Sequence, residues 1–133
     1  MRSQKLISVV VPMYNEAENI ASFHASLINI LDKTGYPFEI IYCDDGSTDG
    51  TQKTVKQLAS SNSSIRYIKL SRNFGKEAAL TAGLEAARGD VVVLMDADLQ
   101  HQPSMIGAML EAWRQGADMV TTARASRSDE TWR

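Results

Sequence analysis

Asp96 and Asp98 stand two residues apart, just past the apolar run Val91–Met95. Two carboxylates so placed repel each other unless a cation sits between them. A set of oxygen ligands suits a hard divalent ion such as Mg2+ or Mn2+, which keeps positions open for phosphate oxygens. Gln100 adds a neutral oxygen nearby. A solvated turn, or a cap before a helix opening at Pro103, accounts for the same spacing, so this motif alone leaves both readings open.

A second acidic pair, Asp44-Asp45, follows another apolar run and precedes Gly46-Ser47-Thr48-Asp49-Gly50. One of its carboxylates can accept the ring N–H of a nucleobase while the other holds the loop or a ribose hydroxyl. The Asp-Gly steps are also strong turn formers in their own right. Tyr14 leaves the first apolar run beside Pro12, which stiffens the loop, and offers a ring for a base to stack on or a lid for the core. Glu16 can contact a ribose or serve the positive end of its helix. Arg72 and Lys76 are the basic residues at these positions. Lys76 falls in the first turn of a helix, where its charge opposes the macrodipole by ~0.3–1 kcal/mol; a diphosphate or the opposing carboxylates would offset that, and a solvated lysine is the plain alternative. Gly75-Lys76 is not a P-loop, because the glycine spacing is absent and Glu77 stands where Ser or Thr belongs. His101 is either an additional ligand or a turn residue, and His24 is expected to face solvent. One cysteine and two separated histidines argue against a zinc site. Cys43, ending an apolar run, reads as a buried strand residue.

The elements that carry these residues follow from periodicity. Leu6–Val11, Phe38–Cys43, Ile65–Leu70 and Val91–Met95 read as buried strands, with a weaker fifth at Asp118–Thr122. Helical patterns lie between them. Glu16–Lys33 presents Ile20, Phe23, Leu27, Ile30 and Leu31 on one face, with Asn15 and Glu18 as a capping pair. Thr51–Ser60 starts near Asp49 and turns Val55, Leu58 and Ala59 inward, and Lys76–Ala87 is alanine-rich. A fourth helix opens at Pro103, buries Ile106, Met109, Leu110 and Trp113, and ends at Gly116. The alternation predicts an α/β fold, a mostly parallel sheet with helices on both faces. In such sheets ligands bind at the carboxyl ends of the strands, which is where every polar cluster above falls.

The chain has 133 residues, a net charge of -2 and 44% hydrophobic residues, which fits one soluble globular domain and excludes a nucleic-acid footprint. No secretory leader and no apolar stretch near the ~20 residues of a membrane helix is visible, so the expectation is a soluble chain on the cytoplasmic side. Residues 1–123 read as one domain. Residues 124–133 are charged and non-periodic, a loop or the cut end of something longer. A signalling receiver would need an acidic pair after the first strand, and a dinucleotide oxidoreductase would need G-x-G-x-x-G after a strand; neither is present.

Taken in order, Val9–Glu16, Asp44–Thr51, Arg72–Lys76 and Asp96–Gln100 resemble the family-2 glycosyltransferases, over about Leu6 to Arg127. The Asp-Ala-Asp-Leu-Gln form is most similar to the branch that loads sugars onto polyprenyl phosphates, which includes dolichol-phosphate mannose synthase and bacterial undecaprenyl-phosphate glycosyltransferases of the cell envelope. The resemblance implies a GT-A fold with strand order 3-2-1-4, a nucleotide-sugar donor (UDP-sugar favoured over GDP-sugar) and Mg2+ or Mn2+. By position, Pro12, Tyr14 and Glu16 would line the nucleoside pocket, with Asn15 counted among the donor-binding residues. Asp45, with Asp44, would read the base, and Arg72 or Lys76 would face the diphosphate. Asp96 and Ala97 would touch ribose and phosphate. Asp96, Asp98 and Gln100 would hold the metal, and Asp96 and Asp98 would carry the catalytic role by activating the leaving group. It also implies inverting transfer to a lipid phosphate by a longer protein attached to the inner or plasma membrane. Because members continue for about as long again, the alternative is a non-catalytic nucleotide-binding piece lacking its acceptor half.

Overall fold

The computed structural model describes residues 5–97 and 105–116, together with the backbone of 120–121. Asp98, Leu99, Gln100, His101 and Pro103 lie outside the described residues, as does the segment from Thr122 onward. Strands β1 (Ile7–Met13), β2 (Phe38–Asp44), β3 (Ile65–Lys69), β4 (Val91–Leu94) and β5 (Val120–Thr121) alternate with helices α1 (Ile20–Thr34), α2 (Thr51–Ser61), α3 (Lys76–Ala86) and α4 (Ile106–Arg114). The strand order is β3-β2-β1-β4-β5, and every neighbouring pair is parallel.

Side chains alternate across the strands, and the two faces bury different sets. Ile7, Val9, Val11 and Met13 of β1, with Ile40 and Tyr42 of β2 and Val91 and Val93 of β4, pack against α1, Val55 of α2, and Ile106, Met109 and Leu110 of α4. Each large side chain buried there contributes roughly 1.5–3 kcal/mol. The opposite face carries Val10, Ile41, Cys43 and Leu94 under α3, whose Ala79 is fully buried. Small residues let α3 sit close: a Cβ at Gly83 would lie 2.4 Å from Val10 Cγ1 and 2.6 Å from Cys43 Sγ. Cys43 is buried as expected, and burial pushes its thiol up to about 12, so it is no nucleophile.

Some expectations change. α1 starts at Ile20, and its N-cap Asn19 makes no side-chain capping bond, so the Asn15–Glu18 pair is not formed. Asn15 is drawn instead into a left-handed conformation at φ 54° by the neighbouring loop. His24 is half-buried, with Nδ1 2.7 Å from Tyr42 Oη, and burial lowers its pKa. Trp113 is half-buried, edge-on to Tyr36.

The chain moves from β1 outward to β3, then crosses back to β4 on the other side of β1. The strand order therefore reverses between β1 and β4, and Met13, which ends β1, and Asp96, two residues past the end of β4, flank the crevice that such a reversal opens.

Candidate functional site

A cleft opens at that reversal. Pro12, Met13, Tyr14 and Glu16 from the end of β1 line it, with Asp45 after β2, Lys76 and Ala79 of α3, and Asp96 and Ala97 after β4. Its volume is about 180 Å³. That is below the ~300–1,000 Å³ of a complete small-molecule pocket, so the described residues wall only part of a pocket of that size. Six of the residues picked out by their spacing thus meet in one place, along with Ala97. Met13 and Ala79 join them as apolar floor, and nothing in their types distinguishes them from ordinary core residues.

The two adjacent carboxylates at the end of β2, Asp44 within it and Asp45 just past it, differ because strand alternation points them to opposite faces. Asp44 is fully buried; Oδ1 accepts from the Ser47 amide at 2.8 Å and Oδ2 from the Tyr67 hydroxyl at 2.6 Å. Burial, then the Asp44 carboxylate, raises the Tyr67 pKa, which keeps that hydroxyl a donor. Asp45 lines the cleft while its Oδ1 accepts from the amides of Phe74 at 2.8 Å and Gly75 at 3.2 Å; the Gly75 amide also reaches Oδ2 at 3.0 Å. The loop ahead of α3 is thereby hung from the same carboxylate that faces the cleft.

Asn15 is not part of the lining either. Its Oδ1 accepts from the amides of Thr48 at 2.8 Å and Asp49 at 3.3 Å, and its own amide donates to Ser47 Oγ at 2.8 Å. The Glu16 amide donates to Thr51 Oγ1, and the Ala17 amide to Asp49 Oδ2. The β1–α1 and β2–α2 loops are stitched into one unit that carries Tyr14 and Glu16. Around Asp49, slight burial raises the carboxyl's pKa, and hydrogen bonds from Thr51 and the Ala17 amide outweigh that, so the net shift is downward. Arg72 lies with its guanidinium 5.0 Å from the Phe74 ring centre and is not among the lining residues. Tyr14 and Phe74, both near this rim, are the exposed large hydrophobic residues among those described.

At the floor, Lys76 Nζ donates to Asp96 Oδ2 at 3.1 Å; the carboxylate side chain is 8% exposed and the lysine 44%. Both residues line the cleft, so a positive charge already stands against the Asp96 carboxylate there. Among the described residues no three His, Cys, Asp or Glu side chains form a metal cage. A magnesium-like ion needs only one or two protein carboxylates when phosphates and water complete its shell, so Asp96 fits such a site.

Residues 8–133 match the model of "Glycosyl transferase family 2". The chain belongs to that family. It is 44% identical over 126 residues to an uncharacterised glycosyltransferase of Synechocystis sp., covering 95% of this chain and 40% of that protein. It is 39% identical over 130 residues to the undecaprenyl-phosphate 4-deoxy-4-formamido-L-arabinose transferase of Aeromonas hydrophila, covering 97% of this chain and 40% of the relative. Glucosyl-3-phosphoglycerate synthase from Mycobacterium tuberculosis, solved with Mn2+, uridine diphosphate and phosphoglyceric acid, superposes with a TM-score of 0.65 at 31% identity. That match covers 82% of this chain and 39% of the synthase. The fold is of the GT-A type, with the strand order expected for it. The chain spans about 40% of the length of these curated relatives.

Proposed function

We propose that this chain forms the donor side of a glycosyltransferase that binds a UDP-sugar with a divalent ion and transfers the sugar, with inversion, to a polyprenyl phosphate. The observation that carries the proposal is the convergence of Tyr14, Glu16, Asp45, Lys76, Asp96 and Ala97 in one cleft at the strand-order reversal of a family-2 chain. The relative named for an undecaprenyl-phosphate acceptor supports the lipid phosphate, and the neighbour holding uridine diphosphate and Mn2+ supports the donor.

Each residue has a task in this reading. The exposed Tyr14 ring stacks on the base. Asp45 accepts a base N–H. A carboxylate has about four acceptor positions, and the Phe74 and Gly75 amides already make three contacts to this one. What remains suits the single ring N–H of uracil better than the paired donors of guanine. Glu16 and Ala97 meet the ribose and the start of the diphosphate. Asp96, with Asp98 and Gln100 beyond it, holds the ion, and Lys76 lies where a diphosphate oxygen can take its ammonium. When bound, the ion neutralises charge that builds on the departing diphosphate. The acceptor is already an anion, so the demand for a strong base is reduced. No described helix is long and apolar enough to cross a membrane; the lipid acceptor places the whole protein at the cytoplasmic face of the inner or plasma membrane.

The test uses membranes from cells making the full-length protein that contains this chain, radiolabelled UDP-hexoses or GDP-mannose, and added undecaprenyl phosphate. The expected result is label in the lipid extract from a UDP-sugar, lost when Asp96 is changed to Asn. Label confined to the aqueous phase with every donor, or lipid label from GDP-mannose alone, would overturn the reading.

A further inference from the structure

Lys76 is the first residue of α3, and its position is set from two sides. Its preceding residue, Gly75, has its amide held by Asp45, with φ at 110°, and its own ammonium reaches Asp96 Oδ2 at 3.1 Å. A lysine in the first turn of a helix sits at the positive end of the macrodipole, and the nearly buried carboxylate offsets that cost. The ammonium also occupies the cleft face of the carboxylate that a divalent ion would bind. An ion arriving alone must compete with a tethered positive charge and then remain beside it, at a distance where like charges repel strongly in a partly desolvated site. The side chain of Lys76 is 44% exposed and has four rotatable bonds, so it can swing away when another anion offers itself.

We propose that Lys76 is a built-in counter-cation for Asp96: it holds that carboxylate against divalent ions in the empty cleft and yields it when a diphosphate draws the ammonium off. Metal and nucleotide then load together, and metal alone binds poorly. This deepens the donor-site reading above and rests on it for the identity of the diphosphate. It makes Lys76 a positioning residue that sets the order of loading.

The experiment measures Mn2+ binding to the chain without nucleotide, from the paramagnetic resonance signal of the free ion, for the unaltered protein, Lys76→Gln, Lys76→Met and Lys76→Arg. Removing the charge is expected to tighten Mn2+ binding about fivefold or more, the lower range of ordinary site–site coupling, in both neutral variants, while Lys76→Arg stays near the unaltered protein. Adding uridine diphosphate should raise Mn2+ affinity in the unaltered protein and do so by a smaller factor in Lys76→Gln. Neutral variants that bind Mn2+ no more tightly than the unaltered protein, including the case where none binds it, would overturn the proposal. Failure of uridine diphosphate to bind the unaltered protein at all would instead overturn the donor-site reading, and the metal-alone comparison would still judge the role of Lys76.

Discussion

Asp44 and Asp45 are neighbours in the chain with different tasks. Asp44 is sealed beneath the site with Tyr67 and Ser47, whereas Asp45 faces the cleft and suspends the Phe74–Gly75 amides. Asp44→Asn should lower stability by about 1–3 kcal/mol in urea titrations, since an amide cannot accept from both partners and a buried donor loses its mate. The folded fraction should bind uridine diphosphate with little change. Asp45→Asn should weaken that binding about tenfold, a loss of roughly 1.4 kcal/mol, measured by calorimetry. If the two variants exchange these effects, the assignment of the carboxylates is wrong. The sequence showed that an acidic pair stood at a strand end, but not which member faced the cleft. Alternation decides that only once the face covered by α3 is known, and that face is a property of the packed sheet.

At the scale of elements, the loops after the strands line the cleft and are fastened to one another. Asn15 adopts its left-handed conformation because Thr48 and Asp49 hold its side chain. Gly46, at φ 83°, packs on the next loop: a Cβ there would come within 2.8 Å of both Arg72 C and Asn73 N. Those are backbone atoms and cannot swing aside. Gly46→Ala should therefore cost about 1–3 kcal/mol in denaturant titrations and also weaken nucleotide binding by shifting the loop that Asp45 holds. Unchanged stability would mean that the two loops are not in contact. The strands and helices were readable from periodicity because burial repeats along each element. The latch was not, because it joins Asn15 to residues more than thirty positions away, and local pattern instead favoured a cap with Glu18.

Across the whole molecule, the cleft lies at one end of the sheet and a buried polar clamp at the other. Glu39 Oε2 accepts from Ser8 Oγ at 2.6 Å and the Arg88 amide at 2.8 Å, and Oε1 accepts from Arg66 at 2.9 Å. The clamp ties the turn between α3 and β4 to β1, β2 and β3. Burial raises the Glu39 pKa, but the bonds from Ser8, Arg88 and Arg66 and the charge of Arg66 outweigh it, and the folded value lies below the ordinary 4.5. A depressed carboxyl pKa contributes stability that is complete above 4.5 and disappears as pH falls through the folded value. Glu39→Gln should thus destabilise by about 1–3 kcal/mol at neutral pH, and the gap between variant and unaltered protein should narrow on acidification below 4.5. A gap that stays constant with pH would show that the charge of Glu39 does not matter. Sequence periodicity placed Ser8 and Glu39 within strands but gave no sign that they meet, since they are 31 residues apart.

Calorimetry of uridine diphosphate with and without Mn2+ decides whether Asp96 sits in a donor site that metal and nucleotide share. Mn2+ should tighten uridine diphosphate binding at least about tenfold, or roughly 1.4 kcal/mol, and Asp96→Asn and Asp98→Asn should each abolish the gain. Nucleotide affinity indifferent to Mn2+ in the unaltered chain would contradict such a site.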